Sequence, residues 1–179
     1  QILLDLPEGG QSRKVLVHPD RNGYLYVIDG QSGQVYSADP YGPVNSSKGV
    51  DLKTGRLMVN PEKVPKVGSI VRDICPTASV TKDWEPSGWS PRSHLIYAPH
   101  ANLCMDTTYA QTSYISGTPY VGAEVVMKPG PGGYRGVLTA WDPAQRKIAW
   151  EDKEDLPVWS GAVATAGDLV FYGTMDGWF

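Results

Sequence analysis

The sequence predicts an all-β protein built from short strands, and three observations lead to that prediction. Gly and Pro, which interrupt regular structure and form turns, number 20 and 15, together about a fifth of the 179 residues. Tyr and Trp, which favour strands, number 10 and 6. Apolar residues follow no sustained helical period; short runs rich in Val, Tyr, Trp and Ile lie instead between clusters of Gly, Pro, Asn and Asp.

Nine of these runs are candidate strands, and long irregular connections separate them. The strands are expected at 14–18, 24–29, 34–38, 94–98, 123–127, 137–141, 147–150, 161–166 and 169–173. The longest irregular connections are expected at 40–65, 75–91 and 128–135. The last of these is rich in Pro and Gly, and it favours neither helix nor regular strand because Pro lacks a backbone donor and Gly lacks a conformational preference.

A degenerate repeat runs through the candidate strands. Residues 22–29 read as a turn, a strand and an acidic end, and Ser32-Gly33 then leads into a second strand. The later part of this unit recurs at 140–150, as Ala140-Trp141-Asp142, a turn and a strand that ends in Trp150. Repeats of about 40–50 residues with a strand–turn–strand core predict a β-propeller, in which the Asp accepts turn N–H groups and the Trp packs between neighbouring blades. The alternative is an ordinary β-sandwich.

Charge and hydropathy exclude several classes of function. The 16 Lys and Arg against 19 Asp and Glu give a formal net charge of −3, and there is no basic block of the kind that nucleic acid or an anionic membrane needs. No apolar stretch approaches the roughly 20 residues of a transmembrane helix. An apolar fraction of 41% is too high for a disordered chain, and two cysteines are too few for a disulfide scaffold.

The two ends of the chain indicate an internal fragment of a longer protein. Residue 1 is Gln and leads directly into a strand-like run at 2–4, and the chain stops at Trp178 and Phe179 in what reads as an unfinished strand. Two exposed aromatic residues on an unpaired strand edge would favour aggregation. Residues 1–179 are therefore expected to be part of a single larger domain.

One segment of the repeat resembles a known family motif. Ala140, Asp142, Lys147 and Trp150 resemble the tryptophan-docking motif of quinoprotein alcohol dehydrogenases, although Gln145-Arg146 stands where that family prefers Thr-Gly. Longer strings resemble the large subunit of the methanol dehydrogenases within that family; they lie at 18–23, 50–55, 73–76, 104–106 and 164–174. The strings at 38–42, 117–123 and 130–136 are most similar to the lanthanide-dependent type.

The resemblance implies a fold and an activity for the parent protein. The fold is an eight-bladed β-propeller, of which this chain is a partial propeller of about three to four blades. The activity is oxidation of methanol or a similar primary alcohol in the periplasm, by hydride transfer to pyrroloquinoline quinone (PQQ), with a c-type cytochrome as electron acceptor. The implied metal is a lanthanide ion, with Ca²⁺ as the alternative. A homodimer is one assembly that the resemblance leaves open.

Three residues are implied to contact the cofactor. Arg21, in a polar turn at the start of a strand, would donate to the quinone oxygens, because a permanently charged guanidinium stabilises negative charge there. Asp83 would lie beside the quinone, whereas its neighbours Lys82 and Trp84 are assigned no role. Trp159 would present its indole N–H to a carboxylate of the cofactor. Without the resemblance, the three residues read as a surface arginine, a turn aspartate and a buried packing tryptophan.

The two cysteines have two interpretations. The resemblance implies a disulfide between Cys75 and Cys104 that fastens a long loop. The alternative is a Cys–His metal site formed by His94, His100 and Cys104, although the sequence has no closely spaced ligand pair.

The family's catalytic Asp base and its metal ligands have no matching motif in the 179 residues and are expected upstream. The isolated segment is therefore expected to be inactive.

Two other assignments remain open at this level. Within the same family, the alternatives are a calcium-dependent methanol dehydrogenase and an ethanol dehydrogenase. Outside it, the alternative is a non-catalytic propeller that acts as a scaffold for protein complexes. A scaffold function does not require Arg21, Asp83 and Trp159 to lie around one pocket. Their positions in the fold therefore help to distinguish an enzyme from a scaffold.

Overall fold

The computed structural model describes residues 1–8 and 11–179, and its regular structure is almost entirely β. In chain order the strands are β1 (Ile2–Glu8), β2 (Gln11–Pro19), β3 (Tyr24–Asp29), β4 (Val35–Pro40), β5 (Ser47–Asp51), β6 (Arg56–Val59), β7 (Ile70–Ile74), β8 (Gly88–Ser90), β9 (Leu95–Ala101), β10 (Leu103–Tyr109), β11 (Ala123–Pro129), β12 (Gly136–Asp142), β13 (Lys147–Glu154), β14 (Ala162–Ala164) and β15 (Val170–Tyr172). A short 3₁₀ turn lies at Pro61–Lys63. Within the described ranges no helix is long and apolar enough to cross a membrane. The all-β prediction is confirmed.

The first sheet is an antiparallel meander in the order β1–β2–β3–β4. On β2, the buried Val15 and Val17 alternate with less buried neighbours, which is the period of two expected of a strand with one face in the core. Leu25 and Val27 on β3 are buried as well. These four strands make one complete propeller blade.

The second sheet has the order β13–β12–β9–β8. Its two central strands, β9 and β12, are buried along nearly their whole length because they pack against the first blade on one face and against β14 on the other. Between β9 and β12 the chain leaves the sheet to form β10 and β11, which join β7 in a separate three-stranded sheet. A further excursion after the first blade forms the two-stranded β5–β6 hairpin.

Among the described residues, β14 and β15 pair with each other alone; this two-stranded sheet begins a third blade and is called the third sheet below. The described residues thus hold two complete four-stranded blades and two strands of a third, where about three to four blades were expected. The fold is a partial β-propeller.

Two hydrophobic cores connect successive blades. The first combines residues of the first blade with Ile96 and Trp141 of the second, and Tyr41 lies in the same cluster. The second combines Tyr97, Leu138 and Ala140 of the second blade with Ala162 of the third sheet. Burying each large apolar side chain contributes about 1.5–3 kcal/mol, so these contacts stabilise the blade-to-blade arrangement.

The acidic residues that end the repeat strands accept turn N–H groups, as the repeat predicts. Asp29 Oδ1 accepts the N–H of Ser32 at 2.6 Å, and Asp142 Oδ1 accepts the N–H groups of Ala144 and Gln145 at 2.9 Å. Trp150 lies against Tyr97 of its own sheet, with 5.8 Å between the ring centroids.

The nine candidate strands all coincide with strands of the structure, and six others were not among the candidates. Those six are β1, β5, β6, β7, β8 and β10. The connections expected to be irregular at 40–65 and 75–91 contain β5, β6 and β8, which corrects the prediction. β6 has only four residues and β8 only three, so neither is long enough to show the apolar alternation of a strand.

Candidate functional site

Arg21 projects from the tight turn between β2 and β3. The Asp20 carbonyl accepts the N–H of Gly23 at 3.1 Å, and the Asp20 carboxylate accepts the N–H of Asn22 at 3.1 Å. Tyr41 Oη, which is buried, donates to the same Asp20 carbonyl at 2.9 Å. A hydrogen bond from His18 lowers the pKa of Asp20. The turn is therefore fixed on several sides while the Arg21 side chain stays exposed.

Asp83 lies on the loop between β7 and β8, and backbone hydrogen bonds attach that loop to the Arg21 turn. The N–H of Thr81 donates to the Arg21 carbonyl at 3.1 Å, and the Thr81 carbonyl accepts the N–H of Ala101 on β9 at 2.8 Å. Gly23 allows this close approach, because a Cβ there would lie 3.1 Å from Thr81 Oγ1 and 2.4 Å from Val44 Cγ2. Gly23 also has a φ of +87°, which favours glycine.

Arg21 and Asp83 meet at the surface. The distance from Arg21 Nη1 to Asp83 Oδ1 is 3.4 Å, and the two side chains are 61% and 41% exposed. An ion pair this exposed contributes little to stability, at most about 1 kcal/mol. It does leave most of the guanidinium donors accessible, so the pair can present a positive charge and several N–H groups to a bound oxygen.

Lys82 and Glu85 form a second, buried pair on the same loop. Their side chains are only 5% and 7% exposed, and Lys82 Nζ lies 3.9 Å from Glu85 Oε2. Burial lowers the pKa of Lys82, and the negative charges of Glu85 and Asp83 oppose that effect. Neither Lys82 nor Glu85 was predicted from the sequence to be a site residue. The sequence feature that relates them is the opposite charge of Lys82 and Glu85, three residues apart on either side of Asp83.

Trp159 lies on the segment between β13 and β14 and is 50% exposed, so the described residues do not bury it as a packing residue. This segment contacts the Asp83 loop at Pro86. The N–H of Ala162 donates to the Pro86 carbonyl at 2.9 Å, and a Cβ on Gly161 would lie 2.6 Å from Pro86 Cγ. The structure brings Arg21 and Asp83 into contact and connects the Trp159 segment to their loop through Pro86.

The Cys75–Cys104 disulfide closes the loop that carries Asp83. The two Cα atoms are 4.4 Å apart, and the bond joins the end of β7 to β10. The disulfide prediction is confirmed. The alternative Cys–His metal site is wrong, since Cys104 is held in the disulfide and His100 is buried, with Nε2 2.9 Å from Thr139 Oγ1.

The donor set fits a quinone cofactor with carboxylate groups. Arg21 offers an exposed and permanently charged guanidinium, and Trp159 has an indole N–H on a half-exposed side chain. Among the described residues no group of three or more His, Cys, Asp and Glu side chains is arranged to hold a metal ion.

The sequence is similar to those of known methanol dehydrogenases. The chain is 44% identical to the lanthanide-dependent methanol dehydrogenase of Methylacidiphilum fumariolicum over 99% of its own length and 30% of that protein. It is 39% identical to methanol dehydrogenase [cytochrome c] subunit 1 of Methylorubrum extorquens over 94% of its length and 28% of that protein. No protein-family model matches the chain.

The fold is also similar to that of a methanol dehydrogenase. The solved structure of a europium-containing methanol dehydrogenase matches 98% of this chain and 31% of its own, with a TM-score of 0.92 and 43% identity. The chain thus spans about 30% of the length of the curated relatives it matches. On sequence and fold together, the chain is a segment of a protein that belongs to the methanol dehydrogenases and related quinoprotein alcohol dehydrogenases.

Proposed function

We propose that this chain forms one side of the PQQ pocket of an alcohol dehydrogenase that oxidises methanol or a similar primary alcohol. The observation that carries the proposal is the meeting of Arg21 and Asp83 on loops that are hydrogen-bonded through their backbones. These two residues are assigned to cofactor contact by family resemblance, and a scaffold propeller gives no reason for them to meet. The similarity to a lanthanide-dependent methanol dehydrogenase supports the substrate class.

The residues of this chain bind and orient the cofactor. PQQ, when bound, supplies the acceptor for the hydride of the alcohol. Arg21 would donate hydrogen bonds to its quinone oxygens and stabilise negative charge there. Asp83, paired with Arg21 at 3.4 Å, would orient the guanidinium towards the same group. Trp159 would donate its indole N–H to a cofactor carboxylate.

Other parts of the enzyme lie outside this chain. In the proposal, residues 1–179 are an internal segment of a single propeller domain, and the general base and the metal ligands come from upstream. The metal is a lanthanide ion, with Ca²⁺ as the alternative. Electrons leave to a c-type cytochrome, as the name of the methanol dehydrogenase [cytochrome c] relative suggests, and a homodimer is one assembly open to the enzyme. A periplasmic location is consistent with the disulfide.

Cofactor binding by the full-length protein tests the proposal. PQQ is titrated into apoprotein with the metal supplied, and both the dissociation constant and methanol-dependent dye reduction are measured for Arg21→Lys and Arg21→Ala. We expect at least a tenfold weaker PQQ affinity in Arg21→Ala, with Arg21→Lys between it and the wild type. Arg56→Ala, on the exposed strand β6, is the control. A wild-type protein that neither binds PQQ nor oxidises alcohols would favour the scaffold instead.

A further inference from the structure

A buried carboxylate holds the backbone of Asp83. Glu85 Oε2 accepts the N–H of Asp83 at 2.8 Å, and the same oxygen lies 3.9 Å from the ammonium of Lys82. Lys82 Nζ also donates to the backbone carbonyl of Glu85. The Glu85 side chain is therefore bound both to the charge that precedes Asp83 and to the peptide group of Asp83 itself.

Burying the Glu85 carboxylate has a cost in desolvation free energy. Two charges removed from water are stable only when they are paired and their remaining hydrogen-bonding groups are satisfied. Here both side chains are more than nine-tenths buried, although Asp83 and Trp84 between them are exposed. The buried pair thus supports an exposed turn, and the exposed turn carries the site residue.

The loop around Glu85 contacts both other parts of the site. At one end, the N–H of Thr81 donates to the Arg21 carbonyl. At the other end, the Pro86 carbonyl accepts the N–H of Ala162, three residues after Trp159. Glu85 lies between these two attachments, and its hydrogen bond to Asp83 sets the course of the chain from one to the other.

We propose that Glu85 is a positioning residue for the cofactor site. Its carboxylate fixes the peptide N–H of Asp83, and this places the Asp83 carboxylate against the Arg21 guanidinium. Lys82 supplies the positive charge next to the buried Glu85 side chain. This inference rests on the proposed function, because the pair that Glu85 positions is the pair proposed to contact PQQ.

A pair of double variants separates positioning from general stability. Lys82→Met/Glu85→Gln removes both buried charges and keeps a side-chain oxygen that can accept the N–H of Asp83. Lys82→Met/Glu85→Leu removes the same charges and has no acceptor. Replacing a buried ion pair by apolar residues of similar volume is often tolerated, so both proteins are expected to fold. Glu62→Gln, an exposed glutamate, is the control for the change from carboxylate to amide.

The full-length apoproteins are titrated with PQQ at a temperature well below every melting midpoint, and the absorption spectrum of the bound cofactor is recorded. We expect Lys82→Met/Glu85→Gln to bind PQQ within threefold of the wild type. Lys82→Met/Glu85→Leu should bind at least tenfold more weakly and shift the cofactor band, because the Asp83 peptide is no longer held. Calorimetry checks that both variants are folded at the titration temperature.

Two different failures can be told apart. If Arg21→Ala and Asp83→Ala weaken PQQ binding but the two double variants bind equally well, Glu85 has only a structural role and the inference is wrong. If Arg21→Ala and Asp83→Ala also leave PQQ affinity unchanged, the proposed cofactor site itself is wrong. If neither double variant folds, Glu85→Gln and Glu85→Ala in the presence of Lys82 provide the same comparison, and equal affinities would again contradict positioning.

Discussion

Arg146 binds Asp39 through two parallel hydrogen bonds, from Nη2 to Oδ1 at 2.8 Å and from Nε to Oδ2 at 2.9 Å. Asp39 lies on β4 of the first blade, and Arg146 lies in the turn between β12 and β13 of the second. Arg146 has a φ of +56°, at the point of the repeat where Gly33 has a φ of +75°. The residue that departs from the preferred Thr-Gly turn is thus the one that joins two blades.

A double-mutant cycle on this pair should give a coupling free energy of about 0.5–1 kcal/mol, since the geometry is bidentate but the arginine is half exposed. Asp39→Ala alone should destabilise the protein. Arg146→Gly should be nearly neutral, because it loses the ion pair but relieves a left-handed conformation that costs a non-glycine residue about 1 kcal/mol. The measurement is urea unfolding of the four full-length proteins.

Salt provides the control for that cycle. The coupling between Arg146 and Asp39 should shrink in 1 M NaCl, where the Debye length falls to about 3 Å. A coupling near zero at low salt would contradict the assignment of this pair as a blade-to-blade contact. An Arg146→Gly variant as unstable as Asp39→Ala would contradict the expected relief of backbone strain at position 146.

Removing the disulfide should destabilise the loop that carries Asp83. Cys75 and Cys104 are separated by 29 residues, and in the chain-entropy account closing such a loop contributes roughly 3–4 kcal/mol. We expect Cys75→Ala/Cys104→Ala to lower the free energy of unfolding by about that amount in urea and to weaken PQQ binding at temperatures where the protein is still folded. A double variant with unchanged urea midpoint and PQQ affinity would show that the bond does not constrain the site.

A methyl group at Gly136 should disturb the segment that leads to Trp159. A Cβ there would lie 2.1 Å from the carbonyl oxygen of Leu156 and 2.8 Å from the backbone nitrogen of Val158. Backbone atoms cannot rotate away, so we expect Gly136→Ala to cost about 1–3 kcal/mol. Gly167→Ala is the matched control, because its Cβ would approach nothing closer than 3.8 Å. Equal midpoints in urea for the two variants would contradict this packing.

Much of the propeller could be predicted from the sequence because its signals are local. The turn Asn22-Gly23 followed by an apolar run predicts β3, and its predicted bounds agree with the structure. Asp29 and Asp142 end strands in both places where the repeat predicts them. β5 and β6 could not be predicted in this way. The Ser-Lys-Gly-Val-Asp of β5 has one apolar residue, and the Arg-Leu-Met-Val of β6 is too short to show the alternation of a half-buried strand.

The residues of the candidate site were predicted by resemblance to a family. Their positions relative to one another could be seen only in the structure. Nothing in the sequence places Asp83 against Arg21, since the bonds responsible are backbone hydrogen bonds of Thr81 that leave no side-chain signature. Glu85 was missed for a different reason. A glutamate is almost never fully buried unless it is paired, so in a loop it reads as a surface residue.

Buried His100 should make stability depend on pH. Its ring lies between Tyr41 and Thr139, and burial lowers its pKa to about 4, an effect that Lys82 reinforces and a hydrogen bond with the Ala101 carbonyl opposes. In the unfolded chain its pKa returns to about 6.5. Between these values the unfolded state binds more protons than the folded state, so the free energy of unfolding falls as the pH is lowered from about 6.5 to about 4.

A pKa shift of this size lowers the free energy of unfolding by roughly 3 kcal/mol between about pH 6.5 and about pH 4. Urea unfolding of the full-length protein at pH 7.0, 6.0 and 5.0 measures the decrease, and the same series on His100→Gln isolates the contribution of this ring from that of the rest of the protein. The variant should be less stable than the wild type at pH 7, because it disturbs the contact with Thr139, but its stability should fall less steeply towards pH 5. Parallel curves for the two proteins would mean that His100 does not titrate on unfolding in this range. The Asp20 carboxylate does not replace it as the source, because its lowered pKa affects stability only at about pH 4 and below.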